Sequence, residues 1–294
     1  MSFKLFIYYC GICGGWAAFL AWGIQDWRHF QEIDNELWRT TSISSLMGLV
    51  LAGAVGTIDA LLNSVRGQRW MRVLVCLGVG FLGGGLGGYL GQRLANQGLP
   101  RFLGWIMVGI AIGASIGVFD FFQAFSRRQS MRSSARKLLN GLIGGAIGGG
   151  LGGLLFEGMA SVLGSRRSSL AAGFVILGIS IGLLIGLAQI ILTEAWIKIE
   201  QGFRPGRERM LAKAETTIGR AESCDIGLFG DPAIERIHAR IRLHGNHYLL
   251  VNNGNSATFL NDQPVTQPSL LRSGDLIRIG KSVLRFGERQ KRNQ

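Results

Sequence analysis

Six apolar runs follow one another from the N-terminus, at Phe3–Ile24, Ile43–Asn63, Trp70–Gly91, Phe102–Gln123, Leu138–Leu163 and Leu170–Leu192. Each has about the twenty residues that an α-helix needs to cross a hydrocarbon layer ~30 Å thick. Backbone polar groups in lipid must be paired within their own segment, so such runs are expected to be helices and not strands. The first run is long enough to span, has no A-x-A ending and is followed by further spans, so it reads as the first helix of a bundle and not as a signal peptide.

The net charge of +13 would suggest nucleic acid in a water-soluble protein. A membrane protein, however, gathers arginine and lysine in its cytoplasmic loops for topological reasons, and nucleic acid is not expected as a partner. One set of loops holds Lys4, Arg66, Arg69, Arg72, Arg127, Arg128, Arg132, Arg136, Lys137, Lys198, Arg204, Arg207, Arg209 and Lys213. The opposite set holds only Arg28, Arg39, Arg93, Arg101, Arg166 and Arg167. The richer set belongs in the cytoplasm, which places both termini there and the chain in a bacterial cytoplasmic (inner) membrane.

The apolar part repeats itself. Gly48-x3-Ala52-x3-Gly56-x2-Asp59 lies over Gly109-x3-Gly113-x3-Gly117-x2-Asp120 and Gly178-x3-Gly182-x3-Gly186-x2-Gln189, and the run Gly83–Leu90 lies over Gly148–Leu155. Helix 1 carries a weaker Gly11-x-x-Gly14-Gly15. The unit is a helical hairpin used three times, with equivalent helices in the same orientation. Glycine at every fourth position lets backbones approach closely, so the purpose implied is tight packing. Gly78-x-Gly80-x-x-Gly83 has the spacing of a dinucleotide fingerprint but lies inside a spanning run, without the strand–turn–helix setting that motif needs. Asp59 and Asp120 sit about one turn from the cytoplasmic ends of their helices. A structural ion pair, with Arg66 and Arg127 close by, is the first reading and an ion pathway the second.

From Leu211 onward the pattern changes to alternation. Ala239, Ile241 and Leu243 take one face against Arg240, Arg242 and His244, while Ile277 and Ile279 oppose Leu276 and Arg278. Turns at Gly245-Asn246, Asn253-Gly254 and Gly274-Asp275 separate short strands, and a small all-β sandwich is the expectation.

Ile218-Gly219-Arg220, then Glu235-Arg236-Ile237-His238-Ala239-Arg240-Ile241, then residues 253–261, then residues 271–280 resemble, in order and spacing, the successive signatures of forkhead-associated (FHA) domains. The resemblance runs from Arg207 to Arg289. It implies a sandwich whose loops at one end bind a phosphothreonine peptide, with Arg220 as phosphate clamp and Gly219 and His238 shaping the loops. Glu235 stands where the family keeps a phosphate-contacting serine, and as a carboxylate beside Arg220 it is expected to neutralise part of that charge in an internal pair. Arg236 restores positive charge, and the family's later asparagine maps onto Asn255 or Ser256. A phosphate dianion suits such guanidinium and charge-assisted donors on a rigid scaffold.

The remaining motifs carry no chemistry. Cys10-x-x-Cys13 has no second pair or nearby histidine, His29, His238, His244 and His247 form no metal spacing or nucleophile–base pair, and Gly280-Lys281-Ser282 lacks the glycine spacing of a phosphate-binding loop. No enzyme, metal or cofactor is expected. The expected architecture is therefore multi-domain. Residues 1–200 form an all-α glycine-rich transmembrane bundle, its sixth helix running on through Trp196 and Glu200. Residues 201–206 form a short juxtamembrane linker, 207–289 the FHA-like β-sandwich and 290–294 a basic tail. The expected function is a membrane signalling or scaffolding adaptor that binds Ser/Thr-phosphorylated proteins, touches the lipid bilayer and is compatible with a homo-oligomer. The alternative is a channel or transporter in the repeat bundle, regulated by a phosphate-independent protein-binding sandwich.

Overall fold

The computed structural model describes residues 3–25, 33–63, 69–126, 132–163, 167–211, 215–244, 247–253 and 256–289. Six described helices are long and apolar enough to cross a membrane. They are α1 (Phe3–Gln25), α2 (Glu36–Asn63), α3 (Arg69–Asn96), α4 (Phe102–Ser126), α5 (Arg132–Leu163) and α6 (Arg167–Ile191). α2 begins two turns before its apolar run because Asn35 caps it, its Oδ1 accepting from the amides of Leu37 at 3.0 Å and Trp38 at 3.4 Å.

The glycine stripes decide which helices touch. Gly48 of α2 faces Gly80 and Gly84 of α3, Gly109 and Gly113 of α4 face Gly145 and Gly141 of α5, and Gly178 of α6 faces Gly14 of α1. A Cβ at Gly48, Gly113 or Gly178 would overlap a carbonyl oxygen of the facing helix, so only glycine permits backbone-to-backbone contact there. Each tight seam joins an even helix to the following odd one, and α6 closes on α1. Positions matched by the repeat, Met47/Val108/Leu177, Leu51/Ile112/Ile181 and Val55/Ile116/Ile185, are all buried in one core.

One turn further along, the core becomes ionic. Arg72 donates to Asp59 at 2.9 Å and to both carboxylate oxygens of Asp120, and Lys137 donates to Asp59 at 2.8 Å and to Asp120 at 3.0 Å. All four side chains are buried. The repeat explains the arrangement: Arg72 and Lys137 each lie eight residues before a seam glycine, Gly80 or Gly145, and the equivalent position in α1 is Phe6. Two copies thus contribute a carboxylate and a cation, while the third contributes Gln189, which donates to the Lys137 carbonyl at 3.0 Å, and buried Phe6. The ion-pair reading of Asp59 and Asp120 holds, with Arg72 and Lys137 as partners, and Arg66 and Arg127 lie outside the described residues. Arg72→Met would remove the guanidinium that both carboxylates share. Breaking a buried pair in this way costs about 3–5 kcal/mol, so the thermal midpoint of the detergent-solubilised protein should fall markedly, and an unchanged midpoint would mean the quartet does not hold the bundle.

The sandwich comprises two sheets. One runs in the order β2 (Glu208–Met210), β1 (Ala195–Gln201), β11 (Ser282–Glu288), β10 (Leu276–Ile279), β7 (Thr258–Leu260), β8 (Gln263–Pro264). The other runs β4 (Ile226–Gly227), β3 (Glu215–Gly219), β5 (Ala239–His244), β6 (His247–Asn252), β9 (Ser269–Leu270). The expected alternation appears: Ala239, Ile241, Ile277 and Ile279 are buried between the sheets with Ile218, Leu250, Leu284 and Phe286.

The segment from Ala195 to Gln201 departs from the sequence expectation. It does not extend α6 and is not followed by a linker at 201–206. It is a strand paired antiparallel with β11, Ile197 opposite Phe286 and Ile199 opposite Leu284. Ala195, Ile197 and Ile199 point into the core while Trp196, Lys198 and Glu200 alternate outward, a two-residue period masked by the apolar run before it. Residues 202–206 turn the chain into β2, with Gly202 at φ 113° and Gly206 at φ 79°. Three residues therefore separate α6 from the sandwich, and side chains pin the two together. Glu208 accepts from the Phe3 amide at 2.8 Å, Phe3 meets Trp196 edge-on at 6.3 Å, Arg136 pairs with Glu194, and Met210 packs against the helical core. Trp196 thus packs on α1 and on Gly287.

Candidate functional site

The site residues lie on loops leaving β3, entering β5 and entering β7. Gly219 ends β3 so close to the second loop that a Cβ would strike the Arg236 carbonyl oxygen. That closeness lets the Arg220 amide donate to the Glu235 carbonyl at 2.9 Å and the Ala221 amide to the Arg236 carbonyl at 3.1 Å. Arg220 and Arg236 are thereby held side by side with their side chains exposed.

His238 joins the second loop to the third. The ring is buried, and Nδ1 accepts from the Glu235 amide at 3.2 Å. That bond requires the proton on Nε2, which then donates to the Ala257 carbonyl at 3.4 Å. The histidine thereby ties the second loop to the third.

Glu235 does not behave as expected. Its Oε1 accepts from the Ser256 amide at 2.7 Å, so the carboxylate ties the third loop to the second. No ion pair joins it to Arg220, whose guanidinium has no carboxylate partner among the described residues. Ser256 therefore enters the site through its amide, and Asn255 lies outside the described residues.

Further residues hold these loops without having stood out in the sequence. Asn252 donates to the Ser256 carbonyl at 3.2 Å and accepts from the Thr258 hydroxyl at 2.9 Å, closing the third loop. Asp225 accepts from the amide and hydroxyl of Thr217 at 3.0 and 3.1 Å, and the Cys224 thiol donates to the Arg236 carbonyl at 3.1 Å. Burial pushes that thiol's pKa up, which keeps it a donor. Asp231 accepts from the amides of Lys281 and Ala233, and these bonds, Lys281 first, hold its carboxyl below the usual carboxylate range. The small asparagine and aspartate spacings that mark such turns are common, and only the fold shows which ones close a loop.

The loops thus carry two exposed guanidinium side chains, Arg220 and Arg236, on backbone fixed to the sandwich. Such a surface can grip a phosphate dianion through charge-assisted hydrogen bonds.

A family model for the FHA domain matches residues 216–280, and no family model matches the helical part. Over 94 residues the chain is 34% identical to the glycogen accumulation regulator GarA of Mycobacterium tuberculosis, covering 32% of this chain and 57% of GarA. It is likewise 34% identical to the oxoglutarate dehydrogenase inhibitor of Corynebacterium jeikeium, covering 32% of this chain and 64% of that protein. The chain thus spans little more than half the length of the curated relatives it matches. Among solved structures, the FhaA FHA domain complexed with the intracellular domain of Rv3910 is 31% identical, with 31% of this chain and 98% of that chain covered and a TM-score of 0.29. An FHA structure from a study of phosphothreonine-dependent FHA domain interactions is 30% identical over 34% of this chain and all of that chain, with a TM-score of 0.31. Residues 216–280 of this chain belong to the FHA family.

Proposed function

We propose that this chain is an integral membrane adaptor whose FHA domain binds phosphothreonine-containing proteins at the cytoplasmic face of a bacterial membrane. The observation that carries the reading is the exposed Arg220 guanidinium, without a carboxylate partner among the described residues, beside Arg236 on loops held by Gly219 and His238. The length and apolarity of the six helices support the membrane part, and loop charge supports the cytoplasmic placement. The tie between bundle and sandwich would keep any bound partner at the membrane surface.

The channel reading has less support. Three matched sets of apolar side chains fill the bundle core above the ionic quartet, and every member of that quartet is paired.

Titration of the full-length protein in detergent with a degenerate phosphothreonine peptide library, beside its unphosphorylated twin, tests the proposal. Binding is expected only for the phosphorylated set, and equal binding of both or of neither would falsify it. Glu235→Gln refines the test, because glutamine keeps an oxygen for the Ser256 amide but removes the negative charge. Two charges about 4 Å apart interact by ~1 kcal/mol even in water. Phosphopeptide affinity should therefore rise about fivefold at an unchanged melting temperature, and an unchanged affinity would mean the carboxylate does not face the ligand.

A further inference from the structure

At the end of the bundle away from the sandwich, helices α2, α3, α4 and α5 line an open cavity of about 370 Å³. This volume lies within the roughly 300–1,000 Å³ range of small-molecule sites. Its charged lining is balanced, with Glu36 and Arg39 from α2, Arg101 just before α4 and Glu157 from α5. Among the described residues none of the four makes an ion pair, although two acids and two bases share one cavity.

Glu157 is the sharpest feature. Its Oε1 is buried and has no hydrogen-bond partner among the described residues. A buried carboxylate oxygen left unmatched is destabilising, and few native groups are left so. Phe156 and Trp105 line the same cavity, their ring centroids 5.7 Å apart. Aromatic rings and a carboxylate lining one cavity suit an ammonium group on an apolar body. Arg39 and Arg101, both exposed, offer guanidinium donors to an acidic group on the same molecule.

We propose that this cavity binds a small zwitterion, its ammonium against Glu157 and the faces of Trp105 and Phe156, its acidic group against Arg39 and Arg101. The chemistry is shared by a soluble amino-acid-like zwitterion and by a zwitterionic lipid headgroup. The site is separate from the phosphopeptide loops and does not depend on their function.

The probe is L-leucyl-L-phenylalanine, read by thermal unfolding of the full-length protein in nanodiscs of phosphatidylglycerol, with or without phosphatidylethanolamine. A saturable rise in melting temperature with the dipeptide in discs lacking phosphatidylethanolamine is expected. N-acetylation or C-terminal amidation of the peptide should abolish it. Glu157→Gln and Arg39→Gln should each raise the half-saturating concentration about tenfold or more, as loss of a hydrogen bond to a charged group does. Arg39 is exposed, so its variant keeps the test valid if Glu157→Gln fails to fold. A rise only on adding phosphatidylethanolamine, weakened by the same variants, assigns the site to the lipid headgroup. Absence of response to both, or a response neither variant weakens, overturns the proposal. Arg220→Ala should leave the response intact, which separates this site from the phosphopeptide surface.

Discussion

Arg220→Ala should lower affinity for phosphothreonine peptides by roughly ten- to hundredfold, since a hydrogen bond to a charged group contributes about 1.5–3 kcal/mol. The effect should be confined to binding. The Arg220 side chain is exposed and has no carboxylate partner among the described residues, and its structural bond, from the amide to the Glu235 carbonyl, survives the substitution. The thermal midpoint should therefore stay within the narrow range of surface changes, about 0.5 kcal/mol. Fluorescence anisotropy with a labelled phosphopeptide, run beside a melting curve, separates the two readouts. Undiminished affinity would remove Arg220 as phosphate clamp and, with it, the observation on which the adaptor reading rests.

The second large effect concerns where the FHA unit starts. A fragment from Glu194 to Arg289 keeps β1, whereas a fragment from Arg207 deletes it. Strand β1 lies between β2 and β11 and places Ala195, Ile197 and Ile199 in the core at 0–2% exposure. Burying an isoleucine contributes about 1.5–3 kcal/mol, so the two isoleucines alone account for ~3–6 kcal/mol. Their loss would also uncover Leu284 and Phe286 and leave β11 without one neighbour. Against a total stability of about 5–15 kcal/mol, that is enough to unfold a small domain. The longer fragment should show a cooperative urea transition and the shorter one none. Matching midpoints for the two would mean that β1 is dispensable.

This start point shows where the sequence misled. Ile197 and Ile199 alternate with charged residues, a strand pattern, but they follow directly on the apolar run of α6, and a helix continuing to the interface accounts for the same letters. Pairing with β11, some eighty residues later, settles the matter, and no local window contains that partner. The ionic quartet behaved similarly. Asp59 and Asp120 were recognisable as costly residues needing cations, yet Arg72 and Lys137 became their partners only because the glycine seams bring α3 and α5 into register with α2 and α4.

Much of the candidate site was legible, for a physical reason. Gly219 and His238 answer local demands, a close backbone approach and a buried two-way hydrogen bond, and such demands restrict residue type strongly. Asn252 answers a demand equally local but met by a common residue, so it did not stand out. Glu235 was visible as an anomaly, but its consequence was not: the direction of one carboxylate depends on where the Ser256 amide falls, and that is a tertiary fact.

By itself the sequence determined the helical and β halves, the glycine spacing, the alternating strands and the FHA signatures, because periodicity and glycine follow from local backbone geometry and from the solvent each segment meets. Tertiary structure alone decided that the sandwich begins at Ala195, that Glu235 holds the third loop through the Ser256 amide, and that Arg72 and Lys137 meet Asp59 and Asp120. Each depends on a partner distant in sequence, and which distant groups meet is fixed by how helices and sheets pack together.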